Sequence, residues 1–99
     1  MTAVKKSTVK FQSPLVVGGK VLIRTVTHFY TGEIAILTDA EIVLTKAAWI
    51  SDTGRFNTCL IRGEFNEVEP YPDDQPVSIN RGAYVDASLW PHDLPRGQK

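Results

Sequence analysis

The sequence predicts a mostly β fold: a single small five-stranded antiparallel barrel with one short helix. Three observations carry this. Apolar and β-branched residues alternate with a period of two along much of the chain, as half-buried strands require. The connections between these stretches are too short for parallel crossovers. Five short strands within about 75 residues must also bend strongly, which suits closure into a barrel better than a flat sheet with open edges.

Each element follows from local pattern. Residues 1–12 are polar and basic without a clear period, and are expected as a flexible N-terminal tail, although Val9 and Phe11 alternate and could add an edge strand. The barrel domain is expected over residues 13–90, introduced by Ser13-Pro14 and Gly18-Gly19. Its first strand is predicted over residues 20–30. Val21, Ile23, Thr25, Thr27 and Phe29 share one face, and Leu22, Arg24, Val26, His28 and Tyr30 the other. Thr31-Gly32 reads as a bend, followed by a second strand over 33–38 with Ile34 and Ile36 on one face. Thr38-Asp39-Ala40 is a turn signal, because an Asp side chain can bond the backbone two residues on. A third strand over 41–50 puts Ile42, Leu44, Ala48 and Ile50 on one side.

Ser51-Asp52-Thr53-Gly54 breaks that pattern. Asp52 is expected to cap a helix over residues 55–62, with Phe56, Cys59 and Leu60 on one face and Gly63 at its end. A strand over 58–61 is the competing reading. Residues 65–70 form a fourth strand, and Pro70, Pro72 and Pro76 frame a loop after it. The last strand is predicted over 77–90, with Ala83, Val85, Ala87 and Leu89 in one row and Tyr84, Asp86, Ser88 and Trp90 in the other. Gly82 within it marks a bulge or sharp bend. Residues 91–99 read as a C-terminal tail with two prolines.

Composition narrows the function classes. A 99-residue chain makes one domain with a thin core, so homo-oligomerisation is an expected source of added stability. Net charge is zero, which argues against duplex DNA as a partner. The charges are nonetheless uneven. Lys5, Lys6, Lys10, Lys20 and Arg24 precede the first acid, whereas Glu64, Glu67, Glu69, Asp73 and Asp74 run without a base between them. Opposed ends of this kind suit head-to-tail contact between copies. No apolar run approaches the ~20 residues that span a bilayer, so no membrane partner is expected. The start lacks the apolar core of a signal peptide, and Cys59 is the single cysteine; both point to the cytoplasm. His28, His92 and Cys59 follow no zinc spacing, and no metal or cofactor is expected.

Asp52-Thr53-Gly54 resembles the active-site triplet of retroviral-type aspartic proteases, in which two subunits each give one carboxylate. Here Arg55 stands where that family has a small residue, and a turn leading into a helix explains the triplet without chemistry. Cys59 lies in an apolar context without a neighbouring histidine, which fits an inert buried thiol. No catalytic set emerges, and the chain is expected to be a non-enzyme.

A second constellation is Tyr30-Thr31-Gly32-Glu33-Ile34, then Asp39 and Ile42-Val43-Leu44, then Ile61-Arg62-Gly63 with Phe65 and Val68. It resembles the two motifs of Sm and Sm-like proteins, over roughly residues 21–68. The resemblance implies a bent Sm-like or SH3-like barrel that assembles into rings and binds single-stranded RNA. It also implies that Asp39 and Arg62-Gly63 lie near the ligand. Ile42-Val43 occupy the place of that family's base-contacting Asn, and the helical reading of 55–62 competes with the second motif. The chain also has the look of the small proteins of tailed phages.

The sequence therefore points to a non-enzymatic oligomeric barrel. Its expected ligand is a nucleotide-like small anion or single-stranded RNA, held at subunit junctions. The candidate ligand residues are Arg24, His28, Tyr30, Asp39, Arg55, Arg62, Gly63 and Arg81. Tyr84, Asp86 and Trp90 are the candidate interface anchors. A structural or interaction module of a phage particle or larger assembly is the alternative.

Overall fold

The computed structural model describes residues 11–99, so the predicted N-terminal tail and its edge strand fall almost wholly outside the described residues. The fold is mostly β, with six antiparallel strands in one sheet and one short helix. The strands are β1 (Lys20–Thr25), β2 (Phe29–Leu37), β3 (Glu41–Asp52), β4 (Glu67–Pro70), β5 (Val77–Asn80) and β6 (Tyr84–Leu89); the helix α1 is Phe56–Arg62.

β3 organises the sheet. β2 pairs along one of its edges, from Phe29 opposite Ile50 to Leu37 opposite Ile42. Along the other edge, β5 pairs with the first half (Leu44 opposite Val77) and β4 with the second (Ala48 opposite Pro70). The halves meet at Lys46, whose φ of 50° lies in the left-handed region. β4 and β5 thus lie end to end along one edge, interrupted by the loop carrying Pro70, Pro72 and Pro76. Proline cannot donate to a ladder, so the pairing stops there.

β6 pairs with β1 at the far end of the sheet, yet only Arg81, Gly82 and Ala83 separate it from β5. A connection that short draws the two ends together, so the sheet curls into a barrel-like ribbon. Inside the curl sits one apolar cluster, including Val21, Ile23, Ile34, Ile42, Leu44 and Ile79. A second cluster lies on the outer face of the sheet, where Leu22, Ala48 and Ile50 meet Cys59, Phe65, Val68 and Trp90. β1 therefore buries both faces, Val21 and Ile23 inward and Leu22 outward.

Four expectations need correction. The first predicted strand is two strands with a turn at residues 26–28. Thr25 makes that turn: its hydroxyl donates to the His28 carbonyl at 2.7 Å and accepts from the His28 amide at 3.2 Å. β-branched turn residues disguised the break as continued alternation. Thr31-Gly32 is no bend but lies within β2, at a register shift. The last predicted strand is broken at residues 81–83 into β5 and β6, raising the strand count to six. Asp52 does not cap the helix; the N-cap is Arg55, without a side-chain hydrogen bond. Asp52 instead accepts the Gly54 amide at 2.8 Å, closing a tight turn before the helix.

The helical reading of 55–62 holds, and Gly63 ends the helix in the left-handed conformation, its amide donating to the Cys59 carbonyl. Residues 91–99 carry no regular structure but are tied to the sheet. The backbones of Lys99 and Val68 exchange two hydrogen bonds, and Arg96 donates to the carbonyls of Ala47 and Tyr71. No helix of the described residues is long and apolar enough to cross a membrane.

Candidate functional site

A single cross-strand row builds the most distinctive surface. Ile23, Tyr30, Trp49 and Glu69 are successive partners on β1, β2, β3 and β4. Paired residues share a side of the sheet, so this row runs from the buried Ile23 outward to the exposed end. Tyr30 still packs on the inner cluster, Trp49 is 37% exposed, and Glu69 is exposed. The loop after β4 adds Tyr71, which also packs on the inner cluster and whose amide donates to Ala47 at 2.8 Å. The break between β4 and β5 thereby opens a cavity of about 540 Å³, walled by His28, Tyr30, Trp49, Tyr71, Pro70 and Pro72.

His28 is held from both sides. Its Nδ1 lies 2.8 Å from the Thr27 hydroxyl and its Nε2 2.8 Å from the Tyr30 hydroxyl. Its ring meets Trp49 edge-on at 5.3 Å and Tyr30 at 4.7 Å. Burial, reinforced by the neighbouring Tyr71 hydroxyl, pushes the Tyr30 phenol above its ordinary pKa. Beyond His28 and Tyr30 a second cavity of about 390 Å³ continues toward Ser78, Asn80 and Gly82. His28 and Tyr30 line both cavities, so the two adjoin at these rings and together form the groove.

The groove's charge is as informative as its shape. Among the described residues, neither cavity is lined by a lysine or arginine, and Glu69 is the one carboxylate in the lining. Glu69 accepts from the Gln98 amide at 2.7 Å, which orients it without neutralising it.

No family model, curated protein or solved structure matches this chain.

Of the sequence-predicted ligand residues, the structure brings His28 and Tyr30 together in the groove. The others are elsewhere. Arg24 pairs on the surface with Asp86, whose hydrogen bond and charge raise the guanidinium pKa. Asp39 is exposed in the β2–β3 turn, and Arg81 donates there to the Thr38 carbonyl. Arg55 and Arg62 sit at opposite ends of α1, exposed. Arg24 lies on β1, Arg55 and Arg62 at the two ends of α1 and Arg81 in the β5–β6 turn, and none of the four lines either cavity. Gly63 packs beneath His92, whose Nε2 lies 2.7 Å from the Leu60 carbonyl.

The interface anchors are also redistributed. Trp90 is 1% exposed, stacked on Phe65 at 5.1 Å, with its indole N–H donating to the Asp93 carbonyl. It is a core residue because the chain after β6 folds over the outer cluster. Tyr84 is half-buried against the inner cluster, and Asp86 is engaged with Arg24. Cys59 is 1% exposed, and burial pushes its thiol up to about 11, which keeps it un-ionised. Asp52 has one oxygen on the Gly54 amide and the other 3.5 Å from the Asn66 amide nitrogen.

Sequence reasoning missed Trp49, Glu69, Tyr71 and the two prolines as site residues. Trp49 left a partial signal, since it alternates with Ala48 and Ile50 and so falls on the opposite face from them. Glu69 and Tyr71 left none, because the register between β3 and β4 is not written locally in either.

Proposed function

We propose that this protein is a non-enzymatic interaction module whose aromatic groove binds an extended peptide segment of a partner protein. One observation carries the reading: four rings and two prolines line a preformed groove that, among the described residues, no lysine or arginine enters. Rigid aromatic walls hold apolar and proline-containing chains at little entropic cost. A nucleotide or single-stranded RNA could stack on the same rings, but its phosphates would meet Glu69 and no basic counterpart, which disfavours the anionic ligand. The two cavities adjoining at His28 and Tyr30 suit a chain rather than a compact molecule. The groove belongs to one copy, so the reading needs no ring of subunits.

The test is selection of binders from a random peptide library, followed by titration of the enriched peptides. Enriched peptides should blue-shift Trp49 fluorescence and lose affinity with Trp49→Ala, whose folding is checked by circular dichroism. Trp90 is already buried and contributes a constant background. A library that yields no peptide sensitive to Trp49, alongside tight binding of oligouridylate, would overturn the peptide reading in favour of RNA.

A further inference from the structure

The groove has an asymmetric end. Trp49 and Glu69 are direct cross-strand partners, so the indole and the carboxylate occupy one patch at its rim. Trp49 is 37% exposed although its ring makes a T-shaped contact with His28. Glu69 has a fixed carboxylate, held through one oxygen by Gln98. Among the described residues the ion pairs are Arg24–Asp86 and Arg96–Asp73, so Glu69 is left without a basic partner. Of the cations in the C-terminal segment, Arg96 is committed to Asp73 and to the carbonyls of Ala47 and Tyr71, and Lys99, whose backbone pairs with Val68, forms neither of the two ion pairs. An oriented carboxylate beside a partly exposed indole is the chemistry that receives a cation: the ring quadrupole and the charge attract the same group.

We propose that the groove selects peptides carrying an arginine or lysine, whose cationic head sits between the Trp49 ring and the Glu69 carboxylate. This rests on the peptide-binding reading above. The cation fixes the direction of the bound chain. Its basic residue lies at the Glu69 end, and the apolar remainder crosses the His28 and Tyr30 rings toward Ser78 and Asn80. Trp49 and Glu69 are then specificity residues, while Tyr30 and Tyr71 form a general apolar floor.

The experiment uses the library-selected peptides, each resynthesised with citrulline in place of arginine, a neutral side chain of nearly the same shape. Calorimetric titration of the full-length protein should show about fivefold weaker binding of the citrulline peptide. Glu69→Gln should weaken the arginine peptide by a similar factor and leave the citrulline peptide unchanged. Glu69→Arg should reverse the preference toward a glutamate-containing analogue. Equal affinity of the arginine and citrulline peptides for the wild type would overturn the cation inference while leaving peptide binding intact. A library from which no peptide binds would overturn both. Added salt should close the gap between the two peptides, because an exposed ion pair is screened.

Discussion

Replacing Gly63 by alanine isolates how the helix end is locked to the C-terminal segment. Gly63 has φ 71°, where an L side chain costs roughly 1–2 kcal/mol. A Cβ built there would lie 2.5 Å from Cγ and 2.8 Å from Cβ of His92, so His92 must move. Moving it endangers the His92–Leu60 hydrogen bond, worth about 1 kcal/mol, and the edge-on contact with Trp90 at 4.9 Å, worth about 1 kcal/mol more. Gly63→Ala should therefore cost roughly 3 kcal/mol, against about 1 kcal/mol for Gly54→Ala. Gly54 also has positive φ (72°), but its Cβ would meet only the movable Asn66 side chain. Urea unfolding followed by Trp90 fluorescence measures both. The decisive step is a double-mutant cycle with His92→Gly, which removes the opposing Cβ and ring together. In that background Gly63→Ala should fall to about the backbone cost alone, leaving a coupling of about 2 kcal/mol. If Gly63→Ala costs the same with and without the His92 side chain, the proposed lock does not exist.

Four further outcomes are expected. Trp90→Ala should cost about 4 kcal/mol in unfolding free energy by opening a cavity beside Phe65 and Leu22; a variant of native stability whose only change is in light-scattering mass would restore Trp90 as a subunit anchor. Thr31→Val should stabilise by about 1 kcal/mol in urea melts, because the Thr31 hydroxyl is buried without a hydrogen-bond partner among the described residues. Cys59 should resist iodoacetamide at pH 8 in the native protein and react quickly in urea, as its thiol stays protonated up to about 11. Tyr30 has a raised pKa, so its un-ionised phenol contributes stability fully below its unfolded value of about 10, and that contribution is lost as pH rises above it. Tyr30→Phe should accordingly show a shallower loss of stability than the wild type as pH rises above about 10.

The sequence made parts of this fold legible because their causes are local. β3 is legible as a strand from its alternation, but its facing is not. The left-handed Lys46 shifts the parity, so Ile42 and Leu44 face the inner cluster and Ala48 and Ile50 the outer one rather than sharing a side. The helix reads from the turn at Asp52 and Gly63 at its end. The turn after β1 was hidden because Thr25 does with a hydroxyl what Gly or Asp usually does, and Val26 and Thr27 look like strand. Trp90 seemed an outward residue because strand parity was extended past the end of β6 into a segment that folds back over the outer cluster. The groove was half legible. His28 and Tyr30 stand two apart where the turn enters β2, whereas Glu69 and Tyr71 arrive through pairing with a strand some twenty residues earlier. Register between such segments is a property of the assembled sheet.

The seam between β4 and β5 separates what keeps the barrel folded from what shapes its recognition surface. Residues 71–76 contribute Tyr71 to the inner cluster, one backbone bond to Ala47, and the Tyr71 carbonyl and Asp73 as partners of Arg96, while the strands on either side hold their own pairings to β3. Residues can be inserted, deleted or exchanged after Tyr71 without altering those ladders, at the modest entropic cost of a longer loop. The wall formed by Pro72 and Gln75 is then free to diversify while the barrel beneath it stays constant. A scaffold of this kind lends itself to libraries in which a short proline-rich stretch alone is randomised to redirect what the groove accepts.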